Sequence, residues 1–329
     1  MKRLKMQATI VTAPNQCRLE EVPVPEPRED EVRVRLEGCG ICGSNVAPWE
    51  GRPWFRYPLA PGELGHEGWG QVDAIGGGVN SIREGDRVAL LSYRAYAEYD
   101  IAPESAVVRL PGALDSKPFP GEALGCAMNV FRRCGIRPGE TVAVVGIGFL
   151  GAVLVGLSTK AGARVMAISR RSFALEIAKT MGAAATISCD DSASQAALEV
   201  AREWTGGKGF DCVIEAAGSQ AALDLATELT RERDRLIIAG YHQDGMRQVN
   251  MQLWNWRGLD VINAHEREPR IYREGVEEAV RAVSSGELDP SPLYTHEFRL
   301  NQLADGLNAM KRKPDRFLKG LVLHRRRMA

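Results

Sequence analysis

Three short stretches in the first 130 residues carry side chains that bind metals. Gly38-Cys39-Gly40-Ile41-Cys42-Gly43-Ser44-Asn45 supplies two thiols as a C-x-x-C. Gly65-His66-Glu67-Gly68 supplies an imidazole and a carboxylate, and Glu122-Ala123-Leu124-Gly125-Cys126 adds a carboxylate and a thiol. Thiolate, imidazole and carboxylate are the groups that tetrahedral Zn2+ accepts. Three such ligands plus water make a catalytic site rather than a structural one. No second C-x-x-C completes a zinc ribbon. Single Cys and His residues are also common in cores, so spacing alone leaves metal binding and plain packing both open.

A second chemistry is written at Gly146-Ile147-Gly148-Phe149-Leu150-Gly151, a G-x-G-x-x-G that follows the apolar run TVAVVG and opens a helix-length segment. In a strand–turn–helix context the first glycine permits the tight turn, and the second lets backbone approach a pyrophosphate. The third lets helix and strand pack closely, so that the helix N-terminus meets the anion. The next strand runs to Ile168 and is followed by Ser169-Arg170-Arg171. An NAD site wants a carboxylate there for the ribose hydroxyls, whereas a hydroxyl and a guanidinium fork suit a 2′-phosphate. The expected cofactor is therefore NADP(H) rather than NAD(H). The competing reading is that Arg170 and Arg171 only begin the next helix and face water.

These groups need a scaffold. Short β-rich runs at Ala8–Val11, Glu31–Leu36, Gly70–Ile75 and Arg87–Leu91, separated by Pro/Gly/Asp clusters, predict a small antiparallel barrel or sandwich. From Pro138 the rhythm becomes apolar strand, helix, apolar strand: TVAVVG, RVMAIS, AATIS, FDCVIEAAG, RLIIAG and DVINA alternate with helical segments. That is the form of a doubly wound parallel sheet whose strands are covered on both faces. After Ala264 a helix near Ile271–Ser284, a strand LYTHEFRL, a helix NQLADGLNAMKRK and a strand LKGLVLH remain. They are too few for a third core and are expected to pack back on the N-terminal region. The expected domains are thus 1–130 with 265–329, and 131–264. The Arg325–Arg327 run reads as a solvated tail.

Composition narrows the class. In 329 residues, 42 Lys+Arg balance 42 Asp+Glu, which argues against general affinity for nucleic acid or anionic membrane. No apolar run reaches ~18 residues and the start, MKRLKMQATIVT, lacks the apolar core of a secretory signal. Seven unevenly spaced cysteines make no disulfide framework, so a reduced cytoplasmic compartment is expected.

The ordered set of motifs resembles the zinc-dependent medium-chain dehydrogenase/reductase family of alcohol, sorbitol and threonine dehydrogenases. In order the chain shows a G-x-C-G-[ST] turn, a G-H-E turn, Gly85-Asp86-Arg87-Val88, an E-x-L-x-C stretch and G-x-G-x-x-G, from about Met6 to His324. The resemblance implies an α/β protein in which a discontinuous GroES-like catalytic domain is hinged to a Rossmann domain, with the active site in the cleft. It implies Cys42 and His66 as zinc ligands and Glu67 as a carboxylate beside the metal, direct ligand or not. Cys126 matches the alcohol-dehydrogenase pattern for a further ligand and Glu122 the polyol-dehydrogenase pattern; we take Cys126 as the direct thiolate and Glu122 as its alternative. Ser44 matches the hydroxyl that binds the reacting oxygen and starts the proton relay. Lys319 matches a basic residue that touches the cofactor phosphates. Homodimers or homotetramers are the family's usual assemblies.

Three departures bear on the chemistry. Asn45 stands where the family usually has an acid, a weaker acceptor for a ligand histidine. Ala47 replaces a relay histidine, so the proton must leave by another route or through water. Only ALLSYRAY lies between Val88 and Ala97, so the four-cysteine lobe is missing and one catalytic zinc, no structural zinc, is expected. The implied reaction is reversible oxidation of a secondary alcohol to a ketone, with hydride passing to or from the nicotinamide. Trp49 and Trp54 after the Cys42 turn, with Trp254, Trp256 and His265 further on, are candidate substrate walls suited to a polyol, cyclitol or sugar-like alcohol; each is equally a candidate for core or subunit contact. His242 and His296 read as ordinary packed or surface residues. The rivals are a zinc-free NADPH-dependent enoyl or quinone reductase on the same plan, which needs neither Cys42 nor His66, and a non-enzymatic NADPH-binding relative.

Separate titrations with NADPH and NADH are expected to show tighter binding of NADPH. A preference for NADH of about tenfold or more, the size of one lost charge-assisted contact, would show that Ser169 and Arg170 do not read a 2′-phosphate.

Overall fold

The computed structural model describes residues 4–189 and 194–324, so the Arg325–Arg327 run lies outside the described residues. By internal contacts the chain forms two compact units. One comprises Met1–Gly125, Glu268–Gly286 and Tyr294–Ala329, the other Cys126–Arg267 and Glu287–Leu293. The first break falls inside a helix rather than after residue 130, and residues 287–293 join the second unit.

In the first unit, β1 (Lys5–Ala13) and β2 (Gln16–Pro23) pair as an antiparallel ribbon. In β3 (Glu31–Gly40), Val32, Val34 and Leu36 are buried at every second position, the period of a strand with one face in a core. A 3-10 turn over Gly43–Asn45 leads into α1 (Val46–Glu50). Then come β4 (Gly68–Ile75), β5 (Arg87–Leu90), β6 (Tyr99–Pro103) and β7 (Val107–Arg109). α2 (Gly121–Cys134) carries the chain into the second unit.

There β8 (Thr141–Val145), α3 (Phe149–Lys160), β9 (Arg164–Ser169), α4 (Ser172–Thr180), β10 (Ala185–Ser188) and α5 (Ser194–Trp204) are followed by β11 (Phe210–Glu215), α6 (Gln220–Leu229), β12 (Thr230–Ile238), α7 (Met251–Arg257) and β13 (Asp260–Asn263). The six strands are parallel in the order β10-β9-β8-β11-β12-β13. This is a doubly wound sheet whose chain order reverses between β8 and β11. Val142–Val145 and Val165–Ile168 are buried without alternation, as strands covered on both faces must be. α7 has no sequence-level signal of its own: MQLWNWR lacks an apolar period. It is started by Asn250, whose Oδ1 accepts from Leu253 N at 3.0 Å, and stopped by Gly258 in the left-handed region.

The C-terminal elements are α8 (Pro269–Ser284), β14 (Tyr294–Phe298), α9 (Leu303–Arg312) and β15 (Lys319–Leu323). They return to the first unit, where β15 pairs antiparallel with β3 and parallel with β14 in the sheet β14-β15-β3-β4-β5-β7, with β6 also on β3. The core of this unit joins Val34, Leu36, Ile41, Trp49 and Tyr96 from the N-terminal part to Leu303, Leu307, Phe317 and Val322 from the tail. Among the described residues no helix is long and apolar enough to cross a membrane.

His324, just past β15, donates its backbone N–H to Glu37 O at 2.9 Å and holds Nε2 sealed from solvent without a hydrogen-bond partner among the described residues. Burial lowers its pKa to about 4. Between pH 4 and 6.5 the unfolded chain therefore binds a proton that the folded chain does not. Stability is expected to fall as pH drops through this window, by up to ~3 kcal/mol from this group. Denaturation curves of His324→Leu should show a shallower acid slope than the parent; equal slopes would exclude the effect.

Candidate metal centre and dinucleotide turn

The end of β3 and the Gly65-His66-Glu67 turn are stitched together by backbone, with Gly40 N donating to Glu67 O at 3.2 Å. A Cβ at Gly40 would lie 1.7 Å from Glu67 Oε2, so this strand end must be glycine for the carboxylate to sit there. The two thiols of the C-x-x-C part company. Cys39 is fully buried in the core, and that burial pushes its pKa well up. Cys42 begins the 3-10 turn and is only half-buried.

The sulfur of Cys42, a ring nitrogen of His66 and a carboxylate oxygen of Glu67 all lie within 4.8 Å of one another. Leu64 O, 2.9 Å from His66 Nδ1, takes that ring N–H and fixes the tautomer. Nε2 is then available as a ligand atom, 3.5 Å from Ser44 Oγ and 4.0 Å from Glu122 Oε2. Tyr272 on α8 donates its hydroxyl to Glu122 Oε1 and so holds that carboxylate from outside the three motifs.

The electrostatics show a surplus of negative groups. Burial alone would lower the His66 pKa, but Cys42, Glu122 and Glu67 together raise it to about 10. Burial also raises the Glu122 carboxyl, while His66 opposes the shift. Lys319 is fully enclosed, with Nζ 2.6 Å from Glu67 Oε1 and 2.5 Å from Oε2. Burial pulls its pKa down, yet Glu67 and Cys42 reverse this and raise it. Sulfur, nitrogen and oxygen donors at this spacing fit a zinc ion.

Several expectations are revised. Lys319 is buried, with its ammonium paired to Glu67. Trp49 is no substrate wall, being completely buried in the core with Nε1 donating to Asn308 Oδ1 at 3.0 Å. Asn45 does not accept from the histidine, because Leu64 O does. Its Oδ1 instead takes Tyr96 OH at 2.8 Å and Cys42 N at 3.1 Å, and its Nδ2 donates to Leu64 O at 3.0 Å. A carboxylate could not make that last bond, so the amide suits a different wiring.

The other candidates sit in surroundings of their own units. Trp54 is 63 % exposed beside Phe55. His265, in the second unit, puts Nε2 3.2 Å from Gly240 O and its ring edge on Tyr241. Trp254 bonds Thr227 Oγ1, and Trp256 is exposed. Cys126 sits one turn after Glu122 on α2, half-buried. Tyr272 and Tyr96 are site partners that the motifs do not reveal because they lie far away in sequence, and Leu64 O because a backbone carbonyl leaves no side-chain signal.

In the second unit the glycine turn behaves as its spacing predicts. Gly146 has φ +99°, and a Cβ there would lie 2.7 Å from Ala217. A Cβ on Gly151 would lie 2.1 Å from Gly146 O, whereas Gly148, the N-cap of α3, faces open space. Open backbone at a helix N-terminus is what an anion needs. Ser169 ends β9, and Arg170 is exposed beside it. Arg171 does not simply face water: half-buried, it donates from its guanidinium to Ile147 O at 3.1 Å, inside the turn. Burial and the neighbouring Arg170 lower its pKa.

Residues 28–112 match the family model for the alcohol dehydrogenase GroES-like domain, and residues 146–282 match that for zinc-binding dehydrogenases. The chain belongs to the zinc-dependent medium-chain dehydrogenase/reductase family. It is 27% identical to a sorbitol dehydrogenase of Bacillus subtilis over 96% of this chain and 97% of that one. It is 26% identical to an L-threonine 3-dehydrogenase of Bacillus velezensis, over 89% and 92%. A zinc-binding dehydrogenase structure from Sinorhizobium meliloti, described as putative and bound to NADP, superposes with a TM-score of 0.83 at 24% identity over 98% of this chain and all (100%) of that one. The protein is thus an alcohol-dehydrogenase-type oxidoreductase, and this family's cofactors are zinc and a nicotinamide dinucleotide.

Removing one member of the Glu67–Lys319 pair strands the other charge. In metal-free protein, Lys319→Met is expected to cost roughly 3–5 kcal/mol by urea denaturation, and Glu67→Gln/Lys319→Met to recover most of it. A double variant no better than the single one would mean that the pair is not the source of the loss.

Proposed function

We propose that this dehydrogenase interconverts a secondary alcohol and its ketone with NADP(H), on a polyol, cyclitol or sugar-like substrate. The observation that carries the reading is the convergence of Cys42, His66 and Glu67 donor atoms within 4.8 Å. Cys42 and His66 would hold the zinc with a carboxylate. Glu122, 4.0 Å from His66 Nε2, is a better-supported further ligand than Cys126, which now stands as the alternative. Bound there, zinc supplies Lewis acidity toward an alcohol or carbonyl oxygen, and the dinucleotide supplies the hydride carrier.

The chain's own residues do the rest. Ser44, whose Oγ lies 3.5 Å from His66 Nε2, would accept the substrate hydroxyl proton and pass it outward. Ala47 is buried and offers no imidazole, so the proton leaves Ser44 to water. The ammonium of Lys319 offsets one carboxylate, so the net charge around the metal is less negative than the ligand list suggests. Ser169 and Arg170, with no acid at the end of β9, support the NADP(H) preference. The sorbitol dehydrogenase relative supports a polyhydroxylated substrate. Trp49, buried in the core, lends that preference no support.

Metal analysis of the purified protein should find zinc, and His66→Ala should lose both zinc and turnover. Ser44→Ala should keep the zinc while kcat falls by about 10²–10⁴, the usual worth of positioned proton transfer. NADP⁺ reduction screened across sorbitol-like polyols, cyclitols and aminosugars identifies the substrate. A zinc-free wild type, or full turnover in His66→Ala, would overturn the reading.

A further inference from the structure

Glu215, the last residue of β11, is a carboxylate with no exposed surface in a strand that is otherwise Phe, Asp, Cys, Val and Ile. Its backbone lies in register with Val145 of β8 and Ile238 of β12. It therefore stands at the carboxyl end of the sheet, on the strand where the order reverses. A buried carboxylate is costly and is kept only where its hydrogen bonds do something an apolar residue could not.

Those bonds form a closed ring. Oε1 accepts from Ala217 N at 2.8 Å and Gly218 N at 2.7 Å, and Oε2 from His242 Nε2 at 3.0 Å. Arg247 Nε donates to His242 Nδ1 at 2.8 Å, and Arg247 Nη2 donates to Gly218 O at 2.9 Å, which returns to the start. Because an arginine Nε can only donate, His242 carries its proton on Nε2 and is neutral in this arrangement. Arg247 is steadied in turn by Asp244.

The ring ties two loops together. A Cβ on Gly240 would lie 2.3 Å from Gly218 N and 2.5 Å from Glu215 Oε2, so the loops after β11 and β12 touch backbone to backbone. Ala217, on the first loop, is the residue that closes on Gly146 of the dinucleotide turn, and Gly240 O on the second receives His265. In a doubly wound sheet the adenosine half of a dinucleotide occupies the glycine turn and the end of the second strand. The other half must then lie over the carboxyl ends of the fourth and fifth strands, here β11 and β12.

We propose that Glu215, His242 and Arg247 are positioning residues that hold the 216–218 and 240–242 loops as the wall for the nicotinamide half of the cofactor. His242, ordinary by sequence, is the central link. The inference rests on dinucleotide binding and not on the substrate or zinc assignments above.

The test compares the whole dinucleotide with its adenosine fragment in full-length protein. Affinities for NADPH, NADH, adenosine 2′,5′-bisphosphate and ADP are measured calorimetrically for wild type, Arg247→Ala and Glu215→Gln. Glu215→Gln keeps the shape but turns an amide N–H toward His242, forcing the other tautomer and breaking the Arg247 bond. Both variants should bind the fragments within about twofold of wild type, while the dinucleotides weaken by about tenfold or more, the worth of one lost hydrogen bond to a charged group. Should Glu215→Gln fail to fold, the half-buried Arg247→Ala decides alone. Unchanged dinucleotide affinity, or fragments weakened in parallel, overturns the proposal. If NADP(H) proves the wrong cofactor, the NADH and ADP pair reads the same ratio.

Discussion

A carboxylate and an ammonium sealed together, Glu67 against Lys319, set the conditions for everything around them. Neither charge can be left alone in so dry a place, so the last strand must arrive beside the His66 turn for either to be tolerated. β15 does this by pairing with the end of β3, which puts Leu321 opposite Gly40. Gly40 leaves room for the carboxylate, and Cys42 follows two residues later at the start of the 3-10 turn. The donor cluster is thus assembled by sheet pairing, and its excess of acceptors is what a divalent cation would relieve.

The same economy of space recurs in the nucleotide unit. Gly151 brings α3 onto the turn, Gly146 meets Ala217, and Gly148 is left bare where an anion would sit. Arg171 braces the turn from outside through Ile147 O, while the Glu215–His242–Arg247 ring ties together the loops after β11 and β12. Polar side chains here spend their hydrogen bonds on backbone, which fixes loops more tightly than side-chain contacts alone would.

Much of this was legible in advance. The apolar strands from Thr141 to Asn263 announce themselves because both faces of a parallel sheet are covered, and the glycines because backbone must approach backbone. β2, β6, β7 and α7 were not legible: β2 and α7 are exposed or mixed in character, and β6 and β7 are short, so periodicity is weak. Trp49 was left between substrate wall and core for a related reason. A tryptophan near a reactive turn in sequence can point to either side of the backbone, and here it points into the core toward Asn308.

Residue chemistry and local backbone demands were settled by the linear chain: which thiols, imidazole and carboxylates exist, and where glycine is needed. Tertiary contacts chose among them. They sent Cys39 into the core, set Glu122 next to His66 with Tyr272 behind it, gave the histidine's proton to Leu64 O instead of Asn45, and turned Lys319 inward. Each of these choices joins groups distant in sequence, or depends on which way a side chain faces. The energy of a buried charge or hydrogen bond is set by neighbours that only folding supplies.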